Sequence, residues 1–320
     1  MVGTTCSTGI TAISIILRIH KSIGKAMKAQ TRFDIAFLGH YTKDTILLAN
    51  EEKTIDGGAI IYGGNVAARM GLRTAIITRM ARQDFKVLEQ FHGLDVKIFK
   101  RETPNSTNLR LVYQSSNLDE RVIYLTSSAE PFTKQDLSSV EASIFHVAPS
   151  VRGEVSAEIV QSLRSRAGRI SLDVQGFVRI NSGGRLIFDA WKDADEVLKY
   201  VDVVKADLVE ATIMTGRHNE REAAEALSAL GPDEVVLTHN KGILVYADEV
   251  FYEAPFLPKE LKGRSGRGDT CIAAYMAKRL TDPPAESTIW AAAVTSLKLE
   301  NEGPFRKEIS DVRELIKSKY

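Results

Sequence analysis

Short apolar runs alternate with segments of helical period along most of this chain, and this alternation restricts its fold more than any other feature. The first run, FDIAFLG (33–39), is almost continuously apolar and ends in glycine, as a strand buried on both faces does. Later runs of this kind are 74–80, 95–99, 144–149, 169–174, 201–206, 234–239 and 242–247. Repeated strand–helix units predict an α/β fold, with a mostly parallel central sheet and helices on both faces.

Glycines and helical spacing place the helices between these strands. A helix is expected to begin after Gly63 and to end at Gly71, since glycine is the usual residue just past a helix C-terminus. The other segments with helical pattern are 84–92, 153–167, 207–215, 219–230, 268–280, 285–300 and 308–319.

Two further segments do not fit a buried parallel sheet. Residues 107–113 and 121–126 alternate polar and apolar around a polar turn, which predicts an antiparallel hairpin with one wet face. Residues 45–62 show short strands with turn residues between them. Together, about 41–62 and 107–126 predict a small β-sheet lid. It would lie over the carboxyl ends of the main strands, where open α/β sheets bind ligands.

Charge and cysteine content exclude several classes of protein. The 320 residues carry 42 Lys+Arg against 41 Asp+Glu, so nothing in the net charge of +1 points to nucleic acid or an anionic membrane. The two cysteines, Cys6 and Cys271, cannot form a disulfide framework, which favours a reducing cytoplasmic setting. The length suits one large domain, expected over residues 31–320.

The first 30 residues stand apart from this pattern. Their apolar run, 8–19, is too short to span a bilayer, and no basic residue precedes it as in a signal peptide. We interpret residues 1–30 as a leader of doubtful function, with translation starting at Met27. The alternative is a helix or strand packed on the body.

The segment that carries most chemistry is the glycine-rich turn 263–270, followed by an alanine-rich helix. Gly266 and Gly268 let backbone N–H groups converge at the helix start, which makes an anion site. Asp269 would repel a phosphate there unless it accepts a proton from a hydroxyl that attacks a phosphoryl group. The alternative is that Asp269 only charges the first helical turn.

A second glycine-rich segment is Gly63-Gly64-Asn65. Paired glycines permit close approach to a ligand, and the asparagine offers donors and acceptors; the alternative is an ordinary turn. The chain contains no Walker A motif, and Cys271 stands where a dinucleotide fingerprint would have its last glycine. A nicotinamide-dependent dehydrogenase is therefore disfavoured.

In combination, these features resemble the PfkB (ribokinase-like) family of carbohydrate and nucleoside kinases. They are an early strand ending in Gly39 with Asp44 beyond it, a Gly-Gly-Asn segment, a β lid and a late Gly-x-Gly-Asp helix. The resemblance covers residues 33 to about 305. It implies an ATP- and Mg²⁺-dependent transfer of a phosphoryl group to an alcohol of a sugar or cyclic polyol.

The resemblance also implies roles for individual residues. Asp269 matches the catalytic base, and Gly266, Arg267 and Gly268 match the anion hole for the transferring phosphoryl group. The positions expected to hold the acceptor are Asp44, Gly64 and Asn65. The positions that match the donor and metal contacts are Lys205, Asp207, Thr238 and Gly242 for the nucleotide and Glu210 for magnesium.

Three departures from the family pattern fall on the donor side. Asp207 stands where the family usually has asparagine. Arg267 replaces a small residue and, with Arg264, brings two positive charges that would hold phosphate oxygens or point to solvent. The turn 239–241 is one residue shorter than usual.

The acceptor remains open among several classes. Gln175 and Arg179 look like the variant found in inositol kinases and related archaeal sugar kinases, and would hydrogen-bond hydroxyls or a carboxylate. A nucleoside kinase would need a stacking aromatic, for which Phe177, Tyr113 and Tyr124 are available. A non-catalytic sugar-binding regulator would lack the base, but Asp269 is present.

The resemblance further implies a homodimer joined through the lids.

Overall fold

The strands form two sheets in the computed structural model, which describes residues 32–48, 51–113, 121–137 and 139–320. The leader interpretation for residues 1–30 lies outside the described residues. Phe33–Tyr320 forms one compact unit. The strands, in chain order, are β1 Phe33–Leu38, β2 Thr42–Leu48, β3 Glu51–Gly57, β4 Thr74–Met80, β5 Val96–Glu102, β6 Thr107–Tyr113, β7 Arg121–Ser127, β8 Ala142–Val147, β9 Ala167–Asp173, β10 Arg179–Ser182, β11 Arg185–Phe188, β12 Val203–Asp207, β13 Glu234–Thr238, β14 Gly242–Ala247 and β15 Val250–Pro255.

The main sheet has nine strands in the order β15-β14-β13-β12-β9-β8-β1-β4-β5. The strands from β13 to β5 in this order pair in parallel, and β14 and β15 add an antiparallel edge. Its central strands are buried on both faces, as the apolar runs predicted.

Helices cover both faces of this sheet. The α-helices are α1 Ala59–Arg69, α2 Ala157–Ser162, α3 Gln175–Val178, α4 Ala194–Leu198, α5 Leu208–Thr215, α6 Glu220–Ser228, α7 Arg267–Lys278, α8 Pro284–Leu299 and α9 Ile309–Lys319. Short 3₁₀ helices span Arg82–Phe91, Lys134–Leu137 and Leu163–Ser165. Alternate residues of β1 face different cores: Ile35 and Phe37 pack with α1, α7 and α8, whereas Ala36 and Leu38 pack with α2 and α6. The predicted α/β fold is confirmed.

The second sheet has six strands in the order β10-β11-β7-β6-β2-β3. It is mostly antiparallel, with one parallel pair between β2 and β6. The predicted lid strands belong to this sheet, and β10 and β11 extend it beyond the residues expected from the sequence. The sequence did not mark these two strands because each has only four residues.

The structure corrects the expected start of the first helix. Helix α1 begins at Ala59, so residues 59–62 belong to it and not to the lid. Its N-cap is Gly58, at φ +89°, a conformation that favours glycine. Gly63 and Gly64 therefore lie inside the helix. The expected helix at 84–92 is a 3₁₀ helix, and that at 153–167 is shorter.

In the part of the chain that the structure describes, no helix is both long and apolar enough to span a bilayer.

Candidate active site

A cavity of about 490 Å³ lies between the carboxyl ends of the parallel strands and the second sheet. The main sheet contributes Asp173, Asp207 and Thr238, which end β9, β12 and β13. The second sheet contributes three aliphatic side chains, Leu109, Leu111 and Ile123, together with polar, charged and aromatic ones, and the N-terminus of α7 also lines the cavity. This is the edge of an open α/β sheet at which ligands bind.

The turn before α7 is built to bring backbone N–H groups to this cavity. Gly266 is the N-cap of the helix at φ +74°, and a Cβ there would lie 2.1 Å from the Tyr62 ring. Gly268 is packed under the Lys205 side chain, with 3.2 Å between Nζ and the position of an added Cβ. Because the first N–H groups of a helix have no partner within it, this helix start offers donors to an anion.

Asp269 lies in the first turn of α7 and faces the cavity. Burial raises the pKa of its carboxyl to about 6, and the neighbouring charge of Asp173 adds to the increase. Lys205 and Lys298 act in the opposite direction. A carboxyl with a pKa near neutrality suits a general base at cellular pH.

Beside this turn, a buried lysine is held by two carboxylates. Lys205 Nζ lies 3.0 Å from Asp173 Oδ2 and 3.6 Å from Glu210 Oε2. Burial alone would lower the pKa of the ammonium, but the carboxylates outweigh it, so its pKa is raised and Lys205 stays charged. A fixed cation therefore stands next to the anion site.

Asp207 and Glu210 form a capping box at the start of α5. Asp207 Oδ1 accepts from the Glu210 N–H, and Glu210 Oε2 accepts from the Asp207 N–H. Asp207 lines the cavity, whereas Glu210 lies behind Lys205, only 1% exposed.

Asp44, Gln175 and Arg179 also line the cavity, and the charge of Arg179 acts on the Asp44 carboxyl. Asp44 Oδ1 is buried and has no hydrogen-bond partner among the described residues. Burial raises the pKa of the Asp44 carboxyl to about 6, against the effects of a hydrogen bond from Thr42 and of the nearby arginines. An unpartnered buried carboxylate oxygen is available to a donor from a ligand or from water.

Gly64 and Asn65 do not reach the cavity, which corrects the prediction that they hold the acceptor. Asn65 Nδ2 donates to Ile61 O at 2.8 Å and to Gln90 Oε1 at 2.9 Å. Gly64 faces Ile76 and Phe91 in the core. The helix face decides this: once α1 starts at Ala59, residues 64 and 65 point to the core, and the cavity is lined instead by Gly58 and Ala59.

Of the two other positions expected to contact the nucleotide donor, only one lines the cavity. Thr238 lines the cavity, but Gly242 does not. Gly242 pairs with β15, where an added Cβ would lie 2.5 Å from Ala254 O. His239 and Asn240, the turn residues that lie between Thr238 and Gly242 in the chain, line the cavity.

None of the aromatics considered for stacking a nucleobase lines the cavity. Phe177 stacks on Trp191 at 4.1 Å between ring centroids, and Tyr113 and Tyr124 belong to the lid strands. The aromatic residue that does line the cavity is Phe188 of β11. Sequence analysis missed it together with its strand.

Asp173 and Arg121 are further cavity residues that sequence analysis did not select. Asp173 could have been identified from the sequence, because it is a carboxylate at the end of a predicted buried strand. Arg121 carries no such signal, since only the folding of the lid brings it to the site.

Comparisons with known proteins agree with this geometry. The sequence model for the pfkB family carbohydrate kinase matches residues 23–308. A pyrophosphate-dependent kinase in the ribokinase family, complexed with a pyrophosphate analog and myo-inositol, is 32% identical, with a TM-score of 0.81 over 88% of this chain and 99% of that chain.

More distant proteins share the fold. Ribokinase from Arabidopsis thaliana, complexed with ribose and ATP, is 18% identical, with a TM-score of 0.70 over 90% of this chain and 99% of that chain. A cytidine kinase from Thermococcus kodakarensis is 23% identical over 80% of this chain and 92% of its own length. The family match covers most of the chain, and the pyrophosphate-dependent kinase superimposes on this chain over nearly its whole length. The chain therefore belongs to the pfkB family of carbohydrate kinases and is a kinase that acts on an alcohol group of a sugar or polyol.

Proposed function

We propose that this kinase transfers a phosphoryl group from pyrophosphate to a hydroxyl of a cyclic polyol, for which myo-inositol is the first acceptor to test. The observation that carries the proposal is a cavity that combines an arginine-rich turn at the start of α7 with a group of aliphatic side chains, Leu109, Leu111 and Ile123, in the same sheet as Asp44. The 32% identity with a pyrophosphate-dependent kinase bound to myo-inositol supports both halves.

For the reaction itself, Asp269 is the base. Its carboxylate accepts the proton of the acceptor hydroxyl while that oxygen attacks the phosphorus, and the bond from phosphorus to the bridging oxygen of the donor breaks. Phosphate leaves, and the proton passes on to solvent. The N–H groups of Gly266 and Gly268 stabilise the charge on the transferring group, a contribution of about 3 kcal/mol per donor in other enzymes. The Arg267 N–H, which the resemblance places with them, donates instead to Arg264 O at 3.3 Å.

Lys205 is proposed to contact the transferring phosphoryl group from the sheet side. Its ammonium is buried, charged and adjacent to Gly268. Asp173 and Glu210 hold it in place, so that it costs no reorganisation when negative charge develops.

A cyclic polyol fits the acceptor end of the cavity for a chemical reason. Its ring has hydroxyls around the rim and C–H groups on its faces. Asp44, Gln175 and Arg179 offer acceptors and donors to the rim. Leu109, Leu111 and Ile123 of the second sheet present an aliphatic surface to a ring face.

Pyrophosphate fits the donor end because this end is rich in cations. Arg264 and Arg267 of the turn at the start of α7 line it, and Arg121, whose charge acts on both Arg267 and Asp44, lines the same cavity. Burial lowers the pKa of Arg267, and repulsion from Arg264 lowers it further, so the two guanidiniums are stabilised by a bound polyanion. ATP, the donor that the family resemblance implies, is the second candidate, with Thr238, His239 and Asn240 as its contacts.

Magnesium is proposed to enter with the donor. The described residues contain no cluster of three or more metal-binding side chains. Mg²⁺ commonly binds through substrate phosphates, one or two carboxylates and water, and Asp207 offers one carboxylate that lines the cavity. Glu210 would support it from behind. When bound, the ion neutralises charge on the donor oxygens.

The test is a matrix of donors and acceptors with Mg²⁺. Pyrophosphate, ATP and ADP are each combined with myo-inositol, ribose, fructose and cytidine, and the product is followed by phosphorus NMR. We expect a polyol monophosphate and inorganic phosphate from pyrophosphate and myo-inositol. Turnover with ATP but not pyrophosphate would refute the donor, and turnover with cytidine alone would refute the acceptor class.

A variant pair sharpens the donor test. Arg267→Met should raise the KM for pyrophosphate by about tenfold or more, since a buried charge-assisted hydrogen bond is lost. Arg221→Met is the control, because Arg221 pairs with Glu253 on the surface. If Arg267→Met binds pyrophosphate as tightly as the unmodified enzyme, the arginine is not a donor ligand.

A further inference from the structure

Lys298 is a buried lysine that the proposed reaction does not use. It lies in the last turn of α8 and is only 2% exposed. Among the residues that the structure describes, its ammonium forms no ion pair within 4.0 Å. A buried ammonium without a carboxylate partner is costly and calls for an explanation.

Its partners are backbone carbonyls of the anion turn. Lys298 Nζ donates to Gly263 O at 2.6 Å and to Ser265 O. It also lies 5.3 Å from the centroid of the Tyr62 ring, the same ring against which Gly266 packs. The ammonium therefore occupies a small enclosure made by the turn and helix α1.

We propose that Lys298 is a built-in monovalent cation, which holds the carbonyl oxygens of Gly263 and Ser265 and so positions the anion turn without an inorganic ion. Convergent backbone carbonyls are also ligands for K⁺, which has the same charge as an ammonium. Tethering the charge to α8 removes the need to recruit it from solution.

The geometry connects this contact to the site. A peptide group is planar and trans, so its N–H points opposite to its carbonyl. With Ser265 O held on the ammonium, the N–H of Gly266 points away from Lys298, and Gly266 lines the cavity. The turn is also joined to the end of α8 by the N–H groups of Lys262 and Gly263, which donate to Leu299 O.

Electrostatics favour the same role. Burial lowers the pKa of Lys298 to about 8, while the negative charge of Asp269 opposes the decrease, so the ammonium is protonated at neutral pH. The charge lies beneath a turn that receives a polyanion, which it attracts.

The first test uses the unmodified enzyme and requires kinase activity but not the donor or acceptor proposed above. Turnover with whichever pair is active is measured in potassium, sodium and choline chloride at equal ionic strength. We expect the same kcat in all three salts. A kcat that depends strongly on K⁺ would overturn the inference, since the enzyme would then need an external cation.

The second test removes the ammonium. Lys298→Ala should lower kcat by about 100-fold with little change in the KM for the acceptor, because the preorganised N–H groups lose their support. Ammonium or potassium ions should restore much of the loss, whereas tetramethylammonium, which is too large, should not. Lys278→Ala is the control, as Lys278 pairs with Asp282 at the far end of α7.

A stability measurement gives a readout besides activity. The melting temperature of Lys298→Ala should rise in potassium or ammonium chloride relative to choline chloride, because the ion binds the folded state. The unmodified protein should show no such difference. Lys298→Arg, which keeps charge and donors, should retain turnover without added cation. Wild-type kcat in Lys298→Ala, or a loss that no cation restores in either readout, would overturn the inference.

Discussion

At the residue scale, the site contains carboxyl groups whose pKa values are shifted by their surroundings. Asp269 and Asp44 are both held in a desolvated cavity, and burial raises the pKa of each to about 6. The roles proposed for them differ because their neighbours differ: Asp269 lies in the first turn of α7 near Lys205, whereas Asp44 lies in the second sheet near Arg121 and Arg179.

Replacement of the proposed base is the most direct prediction at this scale. Asp269→Asn should reduce kcat by about 1,000-fold with a small change in KM, because the amide cannot accept the proton. Steady-state kinetics with the active pair measures it. Asp282→Asn, in the turn that follows the same helix, is the matched control. A decrease in kcat of less than about tenfold in Asp269→Asn would show that this residue is not the base.

The raised pKa of Asp269 predicts a pH dependence. The base works only when deprotonated, so kcat/KM should fall as the pH decreases through about 6 and level off above it. Asp44→Asn should keep this decrease, since Asp269 is still present. A rate that stays constant down to pH 5 in the unmodified enzyme would contradict the assignment.

At the scale of elements, helix α7 and the turn before it form the most constrained part of the site. Gly266 adopts positive φ and packs on the Tyr62 ring, so both its backbone and its missing side chain are required. Gly71, at the end of α1, also has positive φ but has open space around it.

These two glycines form a matched pair for a stability prediction. Gly71→Ala should cost about 1 kcal/mol of unfolding free energy, the penalty for a left-handed alanine. Gly266→Ala should cost more, because the added Cβ would overlap the ring, and it should also abolish turnover. Denaturant unfolding compares the two. Equal losses of unfolding free energy in the two variants would show that the Tyr62 ring can move aside at no energetic cost.

The second sheet leads to a prediction about the acceptor. Side chains alternate between its two faces, so Ile123 lines the cavity and Val122 faces away. Ile123→Ala should raise the KM for the acceptor by about tenfold with the KM for the donor unchanged, whereas Val122→Ala should change neither. An unchanged acceptor KM in Ile123→Ala would refute the aliphatic contact with the ring face.

At the scale of the whole molecule, the two sheets and the turn enclose the site together. The main sheet supplies the acidic strand ends, and the second sheet covers them. We expect water exclusion by this cover to limit hydrolysis of the donor.

The expected homodimer is also a prediction at this scale. Within the described residues, β3 and β10 are the outer strands of the second sheet, and edge strands tend to pair with another chain. Sedimentation equilibrium should give twice the chain mass of 35.3 kDa. A single-chain mass at micromolar concentration would contradict the prediction.

The sequence alone was sufficient for features that depend on neighbouring residues. Strand and helix periods predicted the α/β fold, and the spacing of Gly266, Gly268 and Asp269 predicted a helix start with a carboxyl beside it. These signals are local, because the residues that make them are adjacent along the chain.

Tertiary structure decided which side chains meet. Asn65 follows two glycines, yet the face of α1 that packs on β4 turns it into the core. Phe188 reaches the cavity only because β11 pairs with β7, and Lys298 reaches the anion turn only because α8 packs against it. The physical reason is that packing between elements sets the direction of a side chain, and it joins residues too distant in sequence to leave a local pattern.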